Sequence, residues 1–139
     1  MNNECHPEKN HDLREVIRKA YSEIANEESC GCGSSCCGNT SAELIASSLG
    51  YNPQELSQLP QGANMGLSCG NPIAIASLQP GEVVLDLGAG GGFDVFISAQ
   101  KVGPSGRVIG VDMTPDMVHK ARHNIPFFQE SSGLNNVEF

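Results

Sequence analysis

Leu85-Asp86-Leu87-Gly88-Ala89-Gly90-Gly91-Gly92 is the stretch that decides the fold. Val83 and Val84 precede it, so a short run of branched apolar residues passes directly into a row of small ones. The run Val83–Leu87 is therefore predicted to be a strand, and its nearly continuous apolar character is typical of a strand buried on both faces of a parallel sheet. Glycines between a strand and a helix let the backbone approach a ligand, and the helix start presents N–H groups to it. The stretch therefore predicts a ligand-binding turn, with a tight turn that binds nothing as the alternative.

The residues downstream repeat the strand–helix alternation. A helix is predicted over Phe93–Val102, a second strand over Val108–Asp112, and a helix from Thr114-Pro115 to about Asn124. Val137 begins a third strand. The order β-α-β-α-β predicts a parallel sheet with right-handed crossovers, whose first strand is left as an edge.

Upstream, the sequence predicts short helices. One spans Asp12–Ala25, with Asp12 as its cap and apolar residues on one face. Another follows Thr40 and stops at Gly50, a short turn of helix follows Asn52, and a helix covers Ile73–Leu78.

Taken together, these elements predict an α/β protein in two parts. Residues 1–60 form a helical, Cys-rich segment, and residues 61–139 form a partial Rossmann-like parallel sheet of three strands with helices.

Composition excludes several classes of function. The chain has 8 Lys and Arg against 16 Asp and Glu, a net charge of −8, which argues against a nucleic-acid partner. No apolar run approaches the roughly 20 residues of a membrane span. Residues 1–11 are polar and have no signal-peptide core. A cytoplasmic location and a small-molecule partner are expected.

The glycine row departs from the nicotinamide fingerprint G-x-G-x-x-G. Gly88 and Gly90 fit, but the third position is Phe93, so the turn is expected to bind a pyrophosphate less well. Asp86 precedes the first glycine by two residues, and its carboxylate suits a cationic ligand unless it only caps the turn. S-adenosylmethionine has a sulfonium, an amine and no phosphate, which makes it the predicted cofactor.

Two further residues follow the second strand. Asp112 is placed to accept hydrogen bonds from ribose hydroxyls, although both cofactor classes use such an acid. Met113 packs either on an adenine ring or into the core. Asp94, in the next helix, is interpreted as a favourable charge at the helix dipole.

The chain has six cysteines, and four of them lie within eight residues: Cys30, Cys32, Cys36 and Cys37. Without a secretion signal, thiolates that bind a soft ion or do redox chemistry are favoured over disulfides. A zinc half-site could be drawn from Cys32 and Cys36, with Cys5 and two histidines nearby. Cys69 lies between Ser68 and Gly70. It is interpreted as an accessible thiol, with a small buried apolar residue as the alternative.

These residues resemble a known family. Asp86 to Gly92 with Asp112 resembles the cofactor-binding motif of class I S-adenosylmethionine methyltransferases. The longer stretches Gly62–Pro72, Val84–Asp94 and Val108–Pro115 look like microbial arsenite methyltransferases. Ser35-Cys36-Cys37-Gly38 is similar to that family's N-terminal cysteine pair, and the resemblance covers residues 12–139.

The resemblance implies methyl transfer from S-adenosylmethionine to trivalent arsenic, a step of arsenic detoxification. It implies that Cys69, Cys36 and Cys37 hold the arsenic, and that arsenite or a thiol adduct and a cellular thiol reductant are the partners. It also implies six cofactor contacts: Asp86, Gly88, Ala89, Gly90, Asp112 and Met113.

The chain departs from the family because members continue through strands four to seven. We therefore expect this part to bind the cofactor without turning over. Two other functions stay open, a class I methyltransferase for another small acceptor and a non-catalytic thiol-rich module that binds a metal or metalloid.

Overall fold

The protein has the expected α/β architecture. The computed structural model describes residues 8–26, 41–68 and 70–139. Four helices come first: α1 (Glu8–Asn26), α2 (Ala42–Ser48), α3 (Pro53–Ser57) and α4 (Pro72–Ala76). The alternating part follows as β1 (Val83–Leu87), α5 (Phe93–Val102), β2 (Arg107–Val111), α6 (Pro115–Ser132) and β3 (Val137–Glu138).

The sheet is parallel and has the strand order β1-β2-β3. Leu85 lies beside Ile109, and Val108 lies beside Val137. The parallel pairing and the edge position of β1 within the described residues were both predicted from the β-α-β-α-β order.

The main core lies on one face of the sheet. Val84, Val108 and Val137 are in register across the three strands, and they pack with Phe96 of α5 and Phe128 of α6. The rings of Phe96 and Phe128 are 4.9 Å apart, and neither side chain is exposed. Both crossover helices therefore cover the same face.

The opposite face of the sheet is uncovered by the described residues, so the prediction that β1 is buried on both faces was wrong for this part of the chain. Val83, Leu85 and Leu87 are 72%, 59% and 75% exposed. Two right-handed crossovers that step in one direction along the sheet place both helices on the same side.

Several helix boundaries differ from the prediction. α1 begins at Glu8, so Asp12 is not its cap. The proline at position 7 of the sequence is a start signal that the capping pattern at Asp12 concealed. The cap of α2 is Ser41, whose hydroxyl accepts a hydrogen bond from Leu44 N at 3.4 Å, and Thr40 lies outside the described residues.

The last helix runs well beyond its predicted end near Asn124. α6 continues to Ser132 with Pro126 inside it, although proline cannot donate an intrahelical hydrogen bond. Burial of Phe128 against Phe96 explains the continuation, because this packing offsets the local cost of the proline. α4 ends two residues earlier than predicted, at Ala76, and β2 ends at Val111, which leaves Asp112 in the loop after it.

The early helices join the sheet domain through a second, smaller cluster. Ala46 and Tyr51 pack there with Phe93 and Ile97 of α5. The division of the chain at residues 60 and 61 stays a prediction. Over the ranges that the structure describes, every helix is too short or too polar to cross a membrane.

Candidate functional site

A cavity of about 610 Å³ opens at the carboxyl ends of β1 and β2. This volume is in the range of small-molecule sites, and the carboxyl edge of a parallel sheet is where such sites form. Residues 87–91 and 111–114 form the sheet side of the cavity. The other walls are contributed by earlier parts of the chain: Tyr21, Ala63, Met65, Leu67 and Ser68.

The glycine turn is held by hydrogen bonds within the protein. The amides of Gly88 and Ala89 both donate to Val111 O, at 2.7 and 3.0 Å. Gly90 N donates to the Asp112 carboxylate at 2.8 Å, and Gly92 N donates to Ala89 O at 2.9 Å. Four amides of the turn are thus already occupied, so the turn is less suited to an anion than a row of free donors would be.

Asp112 ties this turn to the start of α6. One of its carboxylate oxygens accepts from Gly90 N at 2.8 Å, and the other accepts from Thr114 N at 2.8 Å. Because an ionised carboxylate has about four acceptor sites, Asp112 keeps capacity for further donors. Asp112 therefore has a structural role, and its contact with a ribose stays a prediction.

Met113 lines the cavity and is 58% exposed. The core-filling alternative for this side chain is not what the structure shows. A neighbour on α6, Met117, is the methionine that is buried, at 1% exposure. Met113 is thus free to pack against an apolar ligand group.

Asp86 lies on β1 just before the cavity wall and is half-buried. Burial raises the pKa of its carboxyl, and the nearby negative charges of Asp94 and Asp112 raise it further. Among the described residues no hydrogen-bond donor is seen for this carboxylate, which disfavours the alternative that Asp86 caps the turn. A half-buried carboxylate without a partner is suited to a cation.

Asp94, in the first turn of α5, also lines the cavity. Burial raises the pKa of its carboxyl, while a hydrogen bond from Tyr51 acts in the opposite direction. The Tyr51 hydroxyl is 2.6 Å from Asp94 Oδ1. Asp94 therefore has a specific partner in addition to the helix dipole that the sequence suggested.

Close packing beneath the turn fixes its position. A side chain at Gly110 would have its Cβ 2.6 Å from the Phe139 ring and 2.9 Å from Ala89. A Cβ at Gly92 would lie 2.7 Å from the same ring. The Phe139 ring thus fits under the turn only because both positions are glycine.

The structure brings five of the six predicted cofactor contacts to one cavity: Gly88, Ala89, Gly90, Asp112 and Met113. The sixth, Asp86, is not among the residues that line the cavity. The predicted arsenic ligands Cys36, Cys37 and Cys69 lie outside the described residues, as do Cys5, Cys30 and Cys32. The described residues contain no group of three metal-binding side chains. The zinc alternative stays open, because it rests on cysteines that lie outside the described residues.

Sequence reasoning did not identify Met65, Tyr51 or Phe139 as parts of the site. Met65 Cε would be 3.0 Å from a Cβ at Gly91, so this methionine covers the turn. Met65 lies in the Gly62–Pro72 stretch that carries the family resemblance, but no local pattern assigns a role to it, to Tyr51 or to Phe139. Gly110 did carry a signal, because a glycine inside a strand indicates a close approach of another group.

Comparisons with known proteins agree with this geometry. A family profile described as a methyltransferase domain matches residues 78–139. An arsenite methyltransferase of Halobacterium salinarum is 43% identical over 137 residues, which cover 92% of this chain and 34% of that protein. An arsenite methyltransferase of Aquipseudomonas alcaligenes is 33% identical over 128 residues, covering 91% of this chain and 35% of that protein.

A solved structure gives a looser likeness. The crystal structure of an arsenic (III) S-adenosylmethionine methyltransferase from Chlamydomonas reinhardtii is 29% identical, with a TM-score of 0.44. The match covers 73% of this chain and 33% of that one, and at this TM-score no geometry is transferred. The chain spans about a third of the length of the relatives it matches.

Proposed function

Because the chain belongs to the S-adenosylmethionine-dependent methyltransferases, among which it is arsenite methyltransferase-like, we propose that it holds the methyl donor in an enzyme that methylates trivalent arsenic. The arsenic would be bound by cysteine thiolates of the same chain. The observation that carries the cofactor half of this proposal is the charge of the cavity. The arsenic half rests on the arsenite methyltransferase relatives and on the chemistry of the cysteines.

The cavity suits a cation better than a phosphate. Four amides of the glycine turn have protein acceptors, so the turn retains little capacity for a pyrophosphate. By contrast, the carboxylates of Asp86, Asp94 and Asp112 lie near one another. S-adenosylmethionine supplies a methyl group on a positively charged sulfur, and it has no phosphate.

Three of the predicted contact residues have distinct roles in this proposal. Asp112 would accept hydrogen bonds from the ribose through the acceptor sites that Gly90 and Thr114 leave unused. Met113 would pack on the adenine ring with its exposed side chain. Asp86 does not line the cavity, so it would provide negative potential near the cofactor rather than a direct contact.

The substrate side depends on thiol chemistry. Trivalent arsenic is soft, and soft ions prefer thiolate ligands to hard oxygen ligands. In the proposal, Cys69 with Cys36 or Cys37 holds the arsenic, whose lone pair forms the new arsenic–carbon bond as the sulfur–carbon bond breaks. Because that lone pair is consumed, a cellular thiol reductant would be needed to restore trivalent arsenic.

This chain alone is expected to bind without turning over. Sites at the edge of such a sheet are assembled from loops after several strands, and the chain spans about a third of its relatives' length. Cytoplasmic location likewise remains a prediction. Multiple turnovers of labelled methyl transfer by this chain, with arsenite and a thiol present, would contradict the expectation of inactivity.

Calorimetric titration tests the proposal in two steps. The reduced chain is titrated with S-adenosylmethionine, and then separately with arsenite. Asp86→Asn should weaken cofactor binding. Asp116→Asn should not, because it removes a carboxylate of the first turn of α6 that neither lines the cavity nor belongs to the cluster of Asp86, Asp94 and Asp112. Arsenite affinity should fall in Cys69→Ser and stay unchanged in Cys5→Ser.

The same titrations separate the alternatives. Cofactor binding without arsenite binding would favour a methyltransferase for another small acceptor. Arsenite or zinc binding without cofactor affinity would favour a thiol-rich binding module and would contradict the proposal.

A further inference from the structure

Tyr51 is a buried residue of the loop between α2 and α3, and the proposed function gives it no role. Its side chain is 3% exposed, although it carries a hydroxyl. The ring packs edge-on against Phe93, with the ring centres 4.8 Å apart at an angle of 68°. The packing holds the ring in place and directs the hydroxyl toward a polar cluster beside the cavity.

Three segments of the chain meet at that hydroxyl. Tyr51 Oη is 2.6 Å from Asp94 Oδ1 and 3.0 Å from Gly70 O. Ser68 and Asp94 both line the cavity, and Ser68 and Gly70 are the residues on either side of position 69. One side chain therefore connects Gly70, which follows residue 69, to the helix that follows the glycine turn.

The number of hydrogens decides which of these bonds can form at one time. A tyrosine hydroxyl has one hydrogen, so it can donate either to Asp94 or to Gly70 O at one time. When Asp94 is ionised, its carboxylate is the stronger acceptor. When Asp94 is protonated, it can donate to Tyr51, which then donates to Gly70 O. Tyr51 thus forms one of the two hydrogen bonds when Asp94 is ionised and both when Asp94 is protonated. The link between the two segments is complete in the protonated state.

We propose that Tyr51 is a positioning residue, whose hydroxyl fixes the residues around position 69 against Asp94 at the cofactor side of the cavity. This inference deepens the proposed function and rests on it, because Ser68 and Gly70 flank the cysteine that the proposed function assigns to arsenic. It does not require that arsenic is the substrate.

Site-resolved alkylation of the reduced full chain tests the proposal. Iodoacetamide labelling is followed by mass spectrometry of the peptide that contains Cys69, in the wild type and in Tyr51→Phe. This substitution removes the hydroxyl and keeps the ring that packs on Phe93. Labelling of Cys69 should accelerate about 2- to 12-fold, the factor that corresponds to loss of one net hydrogen bond. Labelling of Cys5 should not change.

A matched control distinguishes positioning from general stability. Ser48→Ala removes a hydroxyl from the end of α2, where Ser48 Oγ donates to Ile45 O at 2.7 Å. It should leave the labelling of Cys69 as in the wild type. An equal acceleration at all six cysteines in Tyr51→Phe would show a merely structural role and would overturn the proposal, as would an unchanged rate at Cys69.

A second variant tests the coupling directly. Asp94→Ala should accelerate labelling of Cys69 as Tyr51→Phe does, and the double variant should be no faster than the faster single one, because both remove the same contact. Asp94→Asn keeps a polar partner for Tyr51 and should restore most of the protection. Multiplying effects in the double variant would overturn the proposal. Failure of arsenite binding in the wild type, by contrast, would contradict the proposed function and leave these rates as a test of Tyr51.

Discussion

Replacement of Asp112 separates two roles that one carboxylate combines. Its two oxygens each accept a backbone hydrogen bond at 2.8 Å, from Gly90 and from Thr114. Hydrogen bonds to a charged group contribute about 1.5–3 kcal/mol each. Because Asp112 is partly open to water, the low end applies to both bonds, and Asp112→Ala should lower the free energy of unfolding by about 3 kcal/mol. Asp112→Asn keeps one acceptor oxygen and should lose about half of that.

The assay is urea unfolding followed by far-ultraviolet circular dichroism, since the chain has no tryptophan. Met113→Ala is the matched variant, because Met113 lines the same cavity but is exposed. It should weaken cofactor binding and leave the unfolding midpoint almost unchanged. Wild-type stability in Asp112→Ala would refute the reasoning, because the carboxylate would then not be what holds the glycine turn.

Further variants test the packing and charge of the site. Gly110→Ala should destabilise the protein by about 1–3 kcal/mol in thermal unfolding, because its Cβ would overlap the Phe139 ring; an unchanged melting temperature would contradict the close packing under the turn. Phe128→Ala should cost about 3–5 kcal/mol in the same measurement, because the ring is fully buried against Phe96, and a cost under about 1 kcal/mol would contradict that core. The raised pKa of Asp86 means that its contribution to stability is present below the ordinary carboxyl value of 3.8 and is lost as pH rises through the folded-state pKa. Asp86→Asn should therefore raise the melting temperature at neutral pH and flatten its pH dependence, and a lower melting temperature at that pH would show that the ionised carboxylate is stabilising.

Local sequence patterns were sufficient to predict the alternating half of the fold. The bounds of β1 and α5 agree with the prediction, because a continuous apolar run and a glycine row leave few other structures. The prediction that β1 is buried on both faces was wrong, because the burial of a strand depends on which faces of the sheet the crossover helices cover. The end of α6 was wrong because Pro126 is a local signal and Phe128 makes a distant contact.

The site was predictable to the same extent. The sequence was sufficient to predict that the glycine turn, Asp112 and Met113 lie together, because they follow strand ends at one edge of the sheet. Their contact with a cofactor stays a prediction. Tyr51 was not predicted to lie with them, because Asp94 is 43 residues away along the chain. The hydrogen bonds of Gly88, Ala89 and Gly90 also depend on tertiary structure. Their acceptors are Val111 O on the neighbouring strand and the Asp112 carboxylate in the loop after it.

Titration of the isotope-labelled chain with S-adenosylmethionine, followed through backbone amide shifts, tests the central claim most directly. We expect shifts at residues 86–94, from the end of β1 through the glycine turn to the start of α5, and at residues 111–114, from the end of β2 to the start of α6. NADH at the same concentration should shift these amides much less, because the turn offers little to a pyrophosphate. Shifts confined to the N-terminal cysteines, or equal shifts with both compounds, would contradict the assignment of this cavity to a cationic methyl donor.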